Sequence, residues 1–168
     1  MLQRKRAWDV MREDFPKADA SVTLAEAGRI LYEFMKKTPE MNVCIITGPR
    51  GQVVGAVSTW TMFRAVEHGI IKDSGLLRSA EQDWDRNFQR ACTVCTHVGL
   101  EGVMDTDFAV LKPSDSLFTV LQAFLDKNRS YAVVEEGGKV IGLVLALDLY
   151  REFAREMVKT FSPDKTGD

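Results

Sequence analysis

Gly51-Gln52-Val53-Val54-Gly55-Ala56-Val57-Ser58-Thr59-Trp60-Thr61 and Gly138-Lys139-Val140-Ile141-Gly142-Leu143-Val144-Leu145-Ala146-Leu147-Asp148 lie 87 residues apart (138 − 51) and share one pattern. Each opens on a glycine, runs through aliphatic residues around a second glycine, and closes on a polar side chain, Thr61 or Asp148. A second apolar run precedes each stretch: Val43–Thr47 before Gly48-Pro49-Arg50-Gly51, and Tyr131–Glu135 before Glu136-Gly137-Gly138. Near-continuous apolar runs flanking a glycine turn predict two β-hairpins whose strands are buried on both faces.

The repeat extends toward the N-terminus. Val10-Met11 aligns with Val103-Met104, Phe15 with Phe108, and Ser21-Val22-Thr23-Leu24 with Ser114-Asp115-Ser116-Leu117, all at an offset of 93, whereas Val43 aligns with Tyr131 at 88. The difference of five puts extra residues in the first copy around Lys37–Met41. Length changes at loops, with strict register inside elements, mark a duplicated structural unit. Between the anchors, Leu24, Ala27, Ile30, Leu31, Phe34 and Met35 recur at helical spacing behind the capping-box pattern Thr23-Leu24-Ala25-Glu26. Leu117, Val120, Leu121, Phe124 and Leu125 do the same behind the cap candidates Ser114 and Ser116. Closing helices are predicted near Trp60–Glu67 and Leu149–Phe161, and short first strands near Val22 and Val110. The fold class that follows is α/β, or α+β: two β-α-β-β-α repeats over residues 1–68 and 98–168. The connector 69–97 is too long for structureless loop, and Trp84, Phe88 and Ala91 give it a helix whose apolar edge is expected to pack on the repeats or on a second subunit.

Composition bounds the functional classes. Hydrophobic residues at 45% and charged residues at 27% describe an ordinary globular chain, and the net charge of −2 offers no footprint for nucleic acid. Arg4, Lys5 and Arg6 read as a solvated terminus. No apolar run reaches the 18 or so residues of a membrane span, and Met1–Val10 lacks the apolar core of a signal peptide. Cys44, Cys92 and Cys95 do not make a disulfide framework, which fits a reducing, cytoplasmic setting. His68 and His97 stand in no context that supplies a nucleophile and an oxyanion donor, so the chain reads as non-catalytic.

The two copies resemble the cystathionine-β-synthase-type repeat, or CBS domain, which occurs in tandem pairs called Bateman modules. The resemblance rests on the Val-Met start of each copy, the helix-hairpin-helix order and the hairpin close, where the family favours Gly-x-x-Ser/Thr-x-x-Asp. It implies two repeats packed about a pseudo-twofold axis, with adenine nucleotides or adenosyl ligands taken up in clefts between them, no required cofactor, and pairing of modules into homodimers. In the family pattern the Asp accepts the ribose hydroxyls and the Ser or Thr donates toward a phosphate. Here the first copy keeps Ser58 but has Thr61 at the acid position, and the second keeps Asp148 but has Leu145 at the hydroxyl position. The ligand residues that follow are Asp148, Leu145, Tyr131, Phe108 and Arg129 with Ser58 and Thr61, and Arg129, Lys139 and Arg151 are candidates to neutralise a phosphate.

Each of these residues has a plainer reading beside it. Asp148 can be the N-cap of the last helix, and Ser58 and Thr61 can be caps or strand-end residues. Gly55 and Gly142 read as close-approach positions for a helix packed on the sheet. At the level of the whole chain the alternatives are a CBS pair without ligand, acting as a dimerisation or docking module for an unidentified regulated protein, and a metal or redox site at Cys92, Cys95 and His97. The latter lacks the second ligand pair that a closed tetrahedral site needs, and an extended Thr93–Val98 would put Cys92 on the face opposite Cys95 and His97.

Overall fold

A computed structural model describes residues 4–72 and 84–161. In chain order the elements are α1 (Ala7–Val10), β1 (Lys17–Asp19), α2 (Leu24–Met35), β2 (Val43–Thr47), β3 (Val53–Ser58), α3 (Thr59–Lys72), α4 (Trp84–Thr96), β4 (Ala109–Leu111), α5 (Leu117–Lys127), β5 (Tyr131–Glu136), β6 (Lys139–Leu145) and α6 (Ala146–Phe161). They form two three-stranded sheets, ordered β1-β2-β3 and β4-β5-β6. In both, the first strand is parallel to the second and the second antiparallel to the third. Even the irregularity in the hairpin recurs: register shifts at Ile46/Thr47 and at Val134/Glu135, positions related by the same offset of 88 (134 − 46).

The predicted hairpins are present, and Val43–Ile46 and Tyr131–Val134 are buried at every residue, as strands covered on both faces must be. The second hairpin closes through Gly137 and Gly138 at φ 58° and 75°, the two positive-φ positions that a tight type I′ turn demands. Thr23 caps α2 by accepting the Glu26 amide at 3.2 Å, and Ser116 rather than Ser114 caps α5, accepting the Thr119 amide at 3.1 Å. The first strand of copy one is Lys17–Asp19 and not near Val22. The reason is local: the Asp19 carboxylate takes the Ser21 amide at 2.9 Å and its hydroxyl at 2.6 Å, turning the chain before Val22. Val110 lies in β4 as expected.

By internal contacts the chain divides into two compact units, Phe15–Thr106 and Met1–Asp14 together with Asp107–Asp168. The sequence copies and these units are different divisions, because each copy's Val-Met start belongs with the other copy's hairpin. In the unit that holds β4-β5-β6, residues 4–12 run along the sheet: Ala7 and Trp8 donate to the Asp115 and Pro113 carbonyls, and Arg12 exchanges both backbone bonds with Leu143 at 2.8 and 3.0 Å. Lys5 pairs with Glu152 there, so the basic start is tied down and not a loose solvated end. Ala7, Ala109, Leu111, Leu117, Val120, Phe124, Ala132, Val134, Val144 and Leu149 form that unit's core.

In the unit Phe15–Thr106, Asp105 makes the equivalent pair of bonds with Ala56, each 2.8 Å. Its core includes Ala18, Leu24, Ala27, Leu31, Met41, Val43, Ile45 and Val57. The connector helix α4 packs on α3 and α2, and of its apolar edge Ala91 is buried while Trp84 and Phe88 are about half exposed. Cys92 and Cys95 fall inside α4, so the segment before His97 is helical rather than extended.

Candidate functional site

The two hairpin closes occupy the same place in their units, at the junction of the third strand and the closing helix. In the unit Phe15–Thr106 that junction is Ser58 and Thr61. The Thr61 amide donates to the Ser58 Oγ at 3.2 Å, the Ser58 amide donates to the Thr61 Oγ1 at 3.1 Å, and the two hydroxyls lie 3.2 Å apart. This is a reciprocal cap at the start of α3, with both side chains buried. The helix-cap reading of this pair is the one the geometry realises, since the hydroxyls bond each other and the backbone.

In the other unit the cap position belongs to Leu145, which is buried directly across from Tyr131 in the β5–β6 ladder. Helix α6 begins at Ala146, so Asp148 is the third helical residue and not the N-cap. A carboxylate in the first turn interacts favourably with the helix dipole. Its main partner comes from the N-terminal segment. Arg12 Nε donates to Asp148 Oδ2 at 2.7 Å and Nη2 to Oδ1 at 2.8 Å, a two-pronged fork, and Arg151 Nη1 approaches Oδ1 at 3.3 Å. The Arg12 and Asp148 side chains are only 19% and 13% exposed. In a bidentate, charge-assisted pair so shielded, removing one partner costs far more than it would on the surface.

Met11, next to Arg12, shows why the segment is held. A Cβ placed on Gly142 would fall 2.5 Å from the Met11 Sδ, and one on Gly55 would fall 2.3 Å from the Met104 Sδ. Both glycines are close-approach positions, as read from the sequence, but the approaching group is a methionine thioether from the opening segment and not a helix. Gly142 thereby seats Met11, and Arg12 follows it into place beside Asp148.

Of the other predicted residues, Phe108 and Tyr131 meet with ring centroids 5.8 Å apart, and Arg129 sits half-buried two residues before Tyr131. Lys139 is at the opposite end of β6 from Leu145, about 20 Å away at some 3.3 Å per residue, and does not join them. Asp148, Leu145, Tyr131, Phe108 and Arg129 therefore fall in one unit and Ser58 and Thr61 in the other. Arg12 was missed, because nothing in the repeat alignment pairs it with a residue 136 positions away. Among the cysteines, burial pushes the Cys44 thiol up to about 12, which makes it inert near neutral pH, and Cys92 is half-buried. No group of three or more metal-ligating side chains occurs among the described residues.

The comparisons with known proteins bear on this arrangement. Residues 100–155 match the model of the family described as CBS domain. The chain has the fold of a CBS-domain pair. The CBS-domain pair of protein MJ0100, solved in complex with 5′-methylthioadenosine and S-adenosyl-L-methionine, is similar to this chain with a TM-score of 0.65 at 17% identity, over 89% of this chain and 99% of that one. A CBS domain-containing protein of unknown function from Bacillus anthracis gives 0.65 at 18% identity, over 92% and 96%. The CBS domain of a CBS domain-containing membrane protein from Sphaerobacter thermophilus gives 0.68 at 14% identity, over 89% and 88%. None of the curated proteins matches this chain in sequence. In this chain itself, no helix among the described residues is long and apolar enough to cross a membrane.

Proposed function

We propose that this CBS pair is a non-catalytic regulatory module that senses an adenosine-containing ligand, with Asp148 as the ribose acceptor. The observation that carries the reading is the Asp148 carboxylate: it keeps the acid of the family pattern, inside the residues that match the family model, fixed at the start of α6 with two guanidinium groups on it. A carboxylate has room for about four donors, so it can hold a diol and stay linked to an arginine. Phe108 and Tyr131 supply apolar rings in the same unit. The adenosyl ligands of the MJ0100 pair support the ligand class. Ser58 and Thr61, closed on each other, are proposed as the weaker of the two binding positions. The module acts in the cytoplasm on a separate regulated protein and binds neither nucleic acid nor membrane.

A ligand bound only by the folded state adds RT ln(1 + [L]/Kd), about 2.7 kcal/mol at a hundredfold excess, which for this chain is a rise in Tm of roughly 5 to 10 °C. We expect such a rise from at least one of AMP, ADP, ATP, NAD and S-adenosylmethionine, lost in Asp148→Ala and retained in Thr61→Ala. No rise with any of them at millimolar concentration would refute ligand sensing, and an equal rise in Asp148→Ala would put the ligand elsewhere.

A homodimer is proposed on a separate observation. Tyr32, Trp60 and Phe63 on α2 and α3 are exposed, and so are Leu125, Leu147 and Tyr150, their repeat equivalents on α5 and α6 (offsets 93, 87 and 87). An apolar surface kept in register in both copies gives a chain two like patches to pair with a second copy. An apolar groove of about 210 Å³ between α2 and α3, lined by Gly28, Leu31, Met35 and Met62 among others, adjoins the first of them. Sedimentation at micromolar concentration is expected to give twice the monomer mass, and a charged residue at Phe63 or Tyr150 to reduce it.

A further inference from the structure

We infer that the two arginines on Asp148 have different parts in binding: Arg12 is a positioning residue that stays on the carboxylate when ligand arrives, and Arg151 is the one that a ribose hydroxyl displaces. The inference rests on the sensing role proposed above. A carboxylate has about four acceptor positions. Arg12 fills one on each oxygen, with Nε on Oδ2 at 2.7 Å and Nη2 on Oδ1 at 2.8 Å, and Arg151 Nη1 approaches a further one on Oδ1 at 3.3 Å. A ribose brings two hydroxyls to a carboxylate with about one position left. One arginine bond therefore has to yield.

The distances decide which. At 3.3 Å the Arg151 contact is longer than the 2.7 to 2.9 Å of a strong charge-assisted bond, and its side chain is 50% exposed, where solvent and salt screen it. A hydroxyl donating to a carboxylate is itself charge-assisted and can take that place. The Arg12 fork is two short parallel bonds between shielded side chains, and a single hydroxyl cannot replace both at once. Its carrier is fixed as well, since the Arg12 backbone bonds twice to Leu143 and Met11 fills the space over Gly142. One turn along α6 the arrangement recurs: Glu152 holds Lys5 from the opening segment and Arg155 from three residues on, and again the partner from the opening segment is the less exposed. In the other copy Arg64 is the repeat equivalent of Arg151 (151 − 87) and follows the neutral Thr61, so an arginine at this position occurs without an acid to pair with.

The test is titration calorimetry of the full chain with adenosine, which has the ribose hydroxyls and no anionic group to engage an arginine. Arg151→Gln removes the competitor for Oδ1 and is expected to raise adenosine affinity about two- to threefold. Arg12→Gln is expected to lower it at least tenfold, with Arg12→Lys between Gln and wild type because an ammonium cannot make the fork. Should the Arg12 variants fold poorly, the Arg12 Nε–H resonance of wild type reports directly: on saturation with adenosine it should keep its slow exchange with water. Affinity unchanged or lowered in Arg151→Gln, affinity unchanged in Arg12→Gln, or an Arg12 Nε–H brought into fast exchange by adenosine would overturn the assignment while leaving a nucleoside-binding site. If wild type binds neither adenosine nor AMP, or Asp148→Ala binds them as wild type does, the sensing role at Asp148 itself fails and the assignment with it.

Discussion

The two hairpin closes start from one backbone and end with opposite chemistry. In the unit Phe15–Thr106 the strand-to-helix junction is finished locally, by two hydroxyls three residues apart that cap α3 and each other. In the other unit the same junction has a leucine at the cap, and its acid is satisfied by an arginine brought in from the far end of the sequence. The apolar frame, by contrast, is identical in kind: a glycine in the third strand and a methionine over it, in both units. Packing constrains the glycine and methionine together, so neither is free to drift alone. The polar pair carries no such shape constraint and has diverged into a closed cap on one side and an ion pair with functional potential on the other.

The comparison can be broken first at the shared frame. Gly55→Val and Gly142→Val each place a Cβ well inside the van der Waals radius of a methionine sulfur, at 2.3 and 2.5 Å. Each should cost about 3 kcal/mol by overpacking, read as a fall in the urea midpoint. Pairing each with its own partner, Met104→Ala or Met11→Ala, should recover part of that loss, while the crossed pairs, Gly55→Val with Met11→Ala and Gly142→Val with Met104→Ala, should be additive. Recovery by the crossed pairs would show that the opening segments pack with their own copies instead.

The polar junctions should separate next. Arg12→Ala strands a shielded carboxylate and is expected to cost about 2 to 3 kcal/mol, below the range for a fully buried pair because Arg151 remains. Ser58→Ala removes a cap and should cost about 1 kcal/mol. Equal losses would erase the distinction drawn between an ion pair and a cap. The smallest effect concerns the ends of the first helices. α5 ends at Asn128 in the left-handed region with φ 49°, and α2 ends at Lys36 in the right-handed one. Glycine should therefore stabilise at 128 by about 0.5 kcal/mol and destabilise at 36 by a similar amount. Two changes of the same sign would sharpen nothing and would mean the two helix ends are alike.

Much of this architecture was legible in the linear chain because its signals are local. Thr23-x-x-Glu26 caps α2 through atoms three residues apart, and the apolar stripe of Leu117, Val120 and Phe124 is what a helix needs on its buried side. The near-continuous runs Val43–Ile46 and Tyr131–Val134 could only be doubly covered strands. Legibility failed where a side chain's partner is remote or where two local solutions compete. Asp148 has good cap chemistry, and nothing local distinguishes a cap from a first-turn acid. The helix instead starts two residues earlier, at Ala146, whose amide donates to the Ser130 carbonyl. Trp84, Phe88 and Ala91 show helical spacing whether or not anything covers them, so periodicity placed α4 and its apolar edge, of which Ala91 is the part buried within the chain.

The sequence by itself determined the duplication, the order of elements in each copy and the presence of the two hairpins, since these follow from periodicity, turn residues and equal offsets. Tertiary structure alone decided which opening segment serves which hairpin: Met11 meets Gly142 and Met104 meets Gly55, the reverse of what reading each copy as a self-contained block implies. That exchange brings Arg12 to Asp148 and puts Asp105 beside Ala56. No local pattern encodes it, because a methionine fits the groove over either glycine equally well and only the course of the whole chain selects between them.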